Sequence, residues 1–137
     1  MAIVGGRITE TSVVRKKDGK IEGLNVAVNI TDVKNEKEFL VISYEHRITY
    51  LPDNVEMVVK GDLLADENEK QKKEIEDEWK KKKFLPTEFA EDVINAITYT
   101  GTSIGTLLAF ALNIPAPLNL PRAKIGMPPQ EKKGKAG

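Results

Sequence analysis

The sequence predicts an α+β fold: a four-stranded antiparallel sheet, then a charged helix and a long C-terminal helix packed on one face of that sheet. Three observations carry this. The first half alternates apolar and polar residues with a period of two, broken by short polar turns. From Asp66 the alternation stops, and a charge run begins whose acids lead and whose lysines close. From Phe89 the apolar residues recur at helical spacing.

Each strand has its own justification. "GRITETSVVRKKDGK" is the weakest, a strand ending at Asp18-Gly19, a good hairpin turn. "LNVAVNI" sets Leu24, Val26, Val28 and Ile30 on one face and polar or small residues on the other. "EFLVISYEHRITY" places Leu40, Ile42, Tyr44, His46, Ile48 and Tyr50 on one face; its other face begins apolar and turns polar. "LPDN" is a turn, and "VEMVVKGDLLA" alternates again. Short connections between consecutive strands predict a meander.

The helices follow. Asp66 to Lys83 holds seven acids and seven bases in eighteen residues. That order complements the helix dipole, and Glu69/Lys73, Glu76/Lys80 and Asp77/Lys81 are spaced to pair. Its only apolar spot is Ile75 with Trp79, so this helix should dock by one narrow contact and otherwise be solvated. The segment "FLPTEFAEDVINAITYTGTSIGTLLAFALNI" is one long helix, or two halves with a bend, with Thr87 as its cap. Phe89, Val93, Ile97, Ile104 and Leu108 form its stripe, with Gly101 in line. After Gly105 it is apolar on nearly every side and should be covered from more than one direction. Gly101-x-x-x-Gly105 reads either as a seam admitting another backbone or as a glycine kink. "NIPAPLNLPR" cannot continue the helix, since Pro115, Pro117 and Pro121 lack N–H groups. It should run as an extended strap, with Leu118 and Leu120 facing one way.

Composition bounds the function. With 137 residues, 31% charged and 40% apolar, the chain fits one globular domain, expected over 1–125. The Gly/Pro/Lys-rich 126–137 should be a disordered tail. A net charge of zero argues against nucleic acid or an anionic membrane surface as partner. Without cysteine there is no thiolate nucleophile, disulfide framework or Cys-based zinc site, which fits a cytoplasmic protein. "MAIVGGRITE" lacks the apolar core of a signal peptide, and "IGTLLAFALNI" is about half a membrane span, so no insertion is expected. The single histidine, His46, falls on an apolar strand face, where a structural ring with a hydrogen-bond partner is expected. No nucleotide, acyl-transfer or metal motif is present. The chain therefore reads as a non-enzyme without cofactor or metal. What remains is apolar material beyond a two-layer core, which points to an oligomer interface, a groove for apolar segments, or both.

The order of these features resembles the SecB family of export chaperones, including its archaeal and toxin–antitoxin-associated relatives. The closest stretch is "LPTEFAEDVINAITYTGTSIGTLLAFALNIPAPLNLPR", and within it "PAPLNLP"; the strand half matches in pattern only, and the likeness spans roughly residues 3 to 122. The resemblance implies an ATP-independent holdase, a homo-oligomeric dimer or tetramer, that takes unfolded or preprotein segments into apolar grooves, with protein export as one setting for it. Side chains suited to such a groove are Tyr44, Tyr50, Leu51, Met57, Trp79, Phe84 and Leu85, each equally at home in a core. Gly101, Ser103, Gly105 and Leu108 would serve the oligomer interface. Bacterial members are strongly acidic and dock a translocase motor on that acidic surface, whereas this chain is neutral. Two other readings stand beside it: a dedicated chaperone for one partner such as a toxin, and a small ligand-binding α+β domain.

Overall fold

The period-two segments form four long strands, and the two helical segments pack on one face of the sheet they make. The computed structural model describes residues 2–117. In chain order these are β1 (Ala2–Arg15), β2 (Gly23–Asn35), β3 (Leu40–Leu51), β4 (Val55–Asp66), α1 (Glu69–Lys82) and α2 (Thr87–Leu112). The tail 126–137, and Leu118 and Leu120 of the strap, lie outside the described residues. The class is α+β, as the alternation and the helical spacing predict.

Strand order is the first correction. The sheet runs β1-β4-β3-β2 with every neighbour antiparallel, so β1 pairs with β4 and not with β2. This is a Greek key and not a meander. Asp18-Gly19 closes no hairpin. The segment 16–22 instead crosses the end of the sheet over the β3–β4 turn. There the Asn54 carbonyl accepts from Lys16 N at 2.6 Å, and the buried Asn54 side chain donates to the Gly19 carbonyl at 3.0 Å. Glu22 N then donates to the Leu51 carbonyl and starts β2.

Alternation sorts the two sheet faces as expected. Leu40, Ile42, Tyr44, His46, Ile48 and Tyr50 of β3 all lie under the helices and are buried. Their β4 neighbours on that face, Val55, Met57, Val59, Leu63 and Ala65, are buried as well. The opposite face is open and laced with ion pairs. Arg47 bridges Glu45 at 2.8 Å and Glu56 at 2.5 Å, and Lys16 reaches Asp53 and Glu56.

α1 starts at Glu69 and not at Asp66, because the Asn68 side chain accepts from Gln71 N at 2.9 Å and caps it. Its narrow contact is the predicted Ile75 and Trp79, extended by Lys72, whose buried Nζ donates to the Glu38 carbonyl at 3.1 Å. Glu76 accepts the Asn35 N–H at 2.8 Å, which ties the helix to the end of β2. Of the predicted pairs, Glu76–Lys80 closes at 3.9 Å, while Glu69 meets Lys72 at i+3.

α2 is unbroken over 26 residues, so Gly101 and Gly105 do not divide it into two helices. It starts after Pro86, and the Thr87 side chain makes no cap. Its buried stripe is Phe89, Val93, Ile97, Gly101, Gly105 and Ala109, a pure i+4 series. At 3.6 residues per turn such a series drifts around the axis, so the helix crosses the strands obliquely. Ile104 and Leu108 only flank it, half-buried. Side chains on the stripe shrink from Phe to Gly toward the C-terminus, which brings the backbone down onto the sheet. A β-carbon at Gly101 would overlap the His46 ring; one at Gly105 would lie 2.9 Å from Pro117 and 3.1 Å from Ile48. Gly101 and Gly105 are thus seams against this chain's own sheet and strap, not surfaces offered to another subunit.

The helix ends in a Schellman turn. Asn113 is left-handed, and Ile114 N donates to the Ala109 carbonyl. Arg15 donates to the Leu112 carbonyl at 2.6 Å. The strap folds back, the Tyr50 hydroxyl donates to the Pro115 carbonyl at 2.6 Å, and Pro117 is buried beside Gly105. It lies on the fold's own core.

Candidate functional site

Two features of the fold converge at one edge. β1 pairs only with β4, so its other edge carries no strand among the described residues. It is 14 residues long, and its exposed side chains include Val4, Ile8 and Val14. An edge of that length without proline is a template for another extended chain. Register breaks at Ile3/Gly5 and Ile8/Glu10 bend it locally.

Beside this edge runs the middle of α2. Between them is an open cleft of about 310 Å3 lined by Ile3, Gly5, Gly6, Arg7, Ile8, Tyr44, Asp62, Leu63, Ala96, Tyr99 and Thr100. The floor and walls are mostly apolar. One mouth is polar and fixed: Arg7 donates to Asp62 at 3.1 Å, and Ser43 donates to the other Asp62 oxygen at 2.8 Å. Burial, with the Asp62 charge nearby, raises the Tyr44 pKa, so its ring stands in the cleft as a neutral phenol.

Beyond the cleft the outward face of α2 is bare. From Val93 to Leu112 the helix has no charged residue. Tyr99, Leu107 and Phe110 stand 77%, 63% and 71% exposed. Tyr99 forms the cleft wall, and Leu107 and Phe110 continue the apolar surface toward the C-terminus. The expectation that this helix end is covered from more than one side is not met within the described residues. By length and composition α2 is also the one helix there that could cross a bilayer; in the fold its buried stripe occupies the sheet.

The sequence-predicted groove residues do not come together. Tyr44 lines the cleft. Tyr50 and Met57 belong to a separate buried cluster under the C-terminal half of α2. Trp79 and Leu85 are core around the other half. Leu51 is exposed next to the β3–β4 turn, and Phe84 is exposed after α1 with Lys82 over its ring. Of the predicted interface residues, Ser103 is exposed and donates to the Tyr99 carbonyl, and Leu108 is half-buried. Sequence reasoning missed Ile3, Ile8, Leu63, Ala96 and Tyr99. Tyr99 had a signal: a large aromatic on the side of the helix away from the Phe89–Ile97 stripe.

A second cleft, about 360 Å3, lies between the helices over Ile75 and Phe89. Glu74, Glu78 and Glu88 rim it, and it adjoins no strand edge. Among the described residues no three His, Asp or Glu side chains are grouped to hold a metal ion. His46 is buried with no hydrogen-bond partner for either nitrogen, contrary to the expected partner. Comparison with protein families, with characterised proteins and with solved structures returns no match.

Proposed function

We propose that this protein is a SecB-like, ATP-independent holdase that captures extended, unfolded segments along β1. The observation that carries the reading is the apolar cleft between an unpaired strand edge and the exposed wall of α2. An extended segment can add to β1 through backbone hydrogen bonds, which any sequence supplies. Its alternate side chains then fall into the cleft against Ile3, Ile8 and Tyr99. Main-chain bonding gives breadth, and the cleft gives a preference for apolar residues. Nothing in such capture requires a nucleotide or a metal. Leu107 and Phe110, uncharged and exposed, suit self-association into a homo-oligomer, and several clefts on one assembly would raise avidity for long clients.

The test is light scattering of a chemically unfolded client on dilution, with the protein at matched subunit concentration. Wild type should suppress aggregation near stoichiometric ratios. Tyr99→Asp, at a mostly exposed position, should stay folded and lose most of that suppression; Phe84→Asp, outside the cleft, should keep it. Equal suppression by both variants would remove the cleft as the site. Suppression of only one client in a panel would instead support a dedicated partner, the second reading the same cleft allows.

A further inference from the structure

His46 is the only histidine in the chain, and the capture reading does not use it. The residue is 1% exposed, and neither ring nitrogen has a hydrogen-bond partner. Its cross-strand neighbours are Val28 on β2 and Val59 on β4. Directly above is the α2 backbone at Gly101, close enough that a β-carbon would overlap the ring. The stretch of α2 pressed on His46 adjoins the stretch that walls the cleft, Ala96, Tyr99 and Thr100.

We propose that His46 is an acid-sensitive latch: neutral, it lets α2 rest on the sheet, and protonated, it loosens α2 between Ile97 and Gly105 and opens the cleft wall. The loosening stands on His46 and Gly101 alone. Release of a bound segment by that loosening rests on the capture reading above.

An imidazolium in this position has no counter-charge. On β3 the titratable groups sharing its face are Tyr44 and Tyr50, phenols that burial keeps neutral; Glu45 and Arg47 point to the open face, where they pair with each other. On the covered face of β2, Leu24, Val26, Val28 and Ile30 carry no charge, and neither do Met57, Val59 and Gly61 of β4. On β1, Thr11 is opposite Val59, and the nearest charge on that face, Arg15, is committed to the Leu112 carbonyl. α2 has Glu88, Glu91 and Asp92 in its first turns and no charge from Val93 onward. Burying an unpaired, unbonded ion is strongly unfavourable, and burial accordingly holds the His46 pKa below its ordinary value. The closed helix therefore excludes the proton that the opened one binds. Opening grows roughly tenfold for each pH unit below about 6.5, until the buried ring itself titrates.

Hydrogen–deuterium exchange on the full chain from pH 7.5 to 5, each rate divided by the intrinsic rate at that pH, reads the latch. Protection over 97–108 should fall roughly tenfold per pH unit below about 6.5, while β3 and β4 keep theirs. His46→Leu should abolish the fall. A wild-type profile flat with pH, or the same fall in His46→Leu, overturns the latch. Should His46→Leu not fold, the single histidine Cε1–H resonance of wild type decides: a ring that stays neutral below pH 6 supports the proposal, and one that titrates at or above about 6.5 overturns it. A model unfolded client added at pH 7.5 and shifted to pH 5.5 tests release. Client retained on a loosened helix overturns release. Client bound at neither pH overturns the capture reading and leaves the exchange result standing.

Discussion

At Gly101 one hydrogen atom in place of a methyl group decides how closely α2 meets the sheet. Gly101→Ala raises intrinsic helix propensity by about 1 kcal/mol. It also drives a β-carbon into the His46 ring, which is hemmed in by Val28 and Val59. Overpacking of this kind costs about 1–3 kcal/mol and should win, so urea unfolding of Gly101→Ala is expected at a lower midpoint. A raised midpoint would mean that the ring yields freely. Tyr50 is a second decisive residue, since its hydroxyl pins the strap at Pro115. Tyr50→Phe should cost about 0.5–1.5 kcal/mol. Burial pushes the Tyr50 pKa up to about 12 from the ordinary 10.0. The contribution of its neutral hydroxyl is thus complete below pH 10 and is lost as pH rises toward 12. Melting temperatures from pH 8 to 12 should fall more steeply for wild type than for Tyr50→Phe. The burial of both rings is legible in the alternation of β3. Their partners are not, because they come from residues 101 and 115, which only the tertiary fold brings near.

Among the elements, α2 depends most on what lies beyond its own sequence. Its C-terminal carbonyls are met by the Schellman turn and by Arg15, 97 positions away in the chain. Arg15→Gln removes a cation from the negative end of the helix dipole and should cost about 0.3–1 kcal/mol, with the loss of exchange protection concentrated in the last turn. Uniform loss along the helix would show that Arg15 acts through β1 instead. The existence and type of every element follow from period and charge order. Strand order does not. "KKDGK" has the chemistry of a hairpin turn, yet Asn54 draws it across the β3–β4 turn. A turn signal reports that the chain bends, not which edge it bends toward. The drift of the buried stripe was similarly hidden, since Ile104 and Leu108 outrank Gly105 and Ala109 in apolarity but not in closeness to the sheet.

For the whole molecule the unbalanced quantity is apolar surface on α2. Leu107→Glu puts a charge on that bare face without touching the buried stripe. Sedimentation velocity should show wild type associating and this variant shifted toward monomer, with unchanged helix content. A wild type that stays monomeric at high concentration would leave the exposed face of α2 to clients alone. That such a surplus exists was readable in the sequence. Its location was not, because five of the seven side chains chosen for groove chemistry, Tyr44, Tyr50, Met57, Trp79 and Leu85, are buried. Large aromatic and aliphatic side chains serve a core and a groove equally well, and only the path of the backbone separates the two uses.

The pairing of β1 with β4 also sets a schedule. Ala2 meets Asp66, and Arg15 meets Val55, so the first strand made must wait for the fourth before it has a neighbour. β2, β3 and β4 can zip through local hairpins, whereas β1 must close a long loop, a slow step in any chain. During synthesis β1 therefore stays extended and unpaired until β4 emerges, the same kind of segment that the protein is proposed to shelter in others.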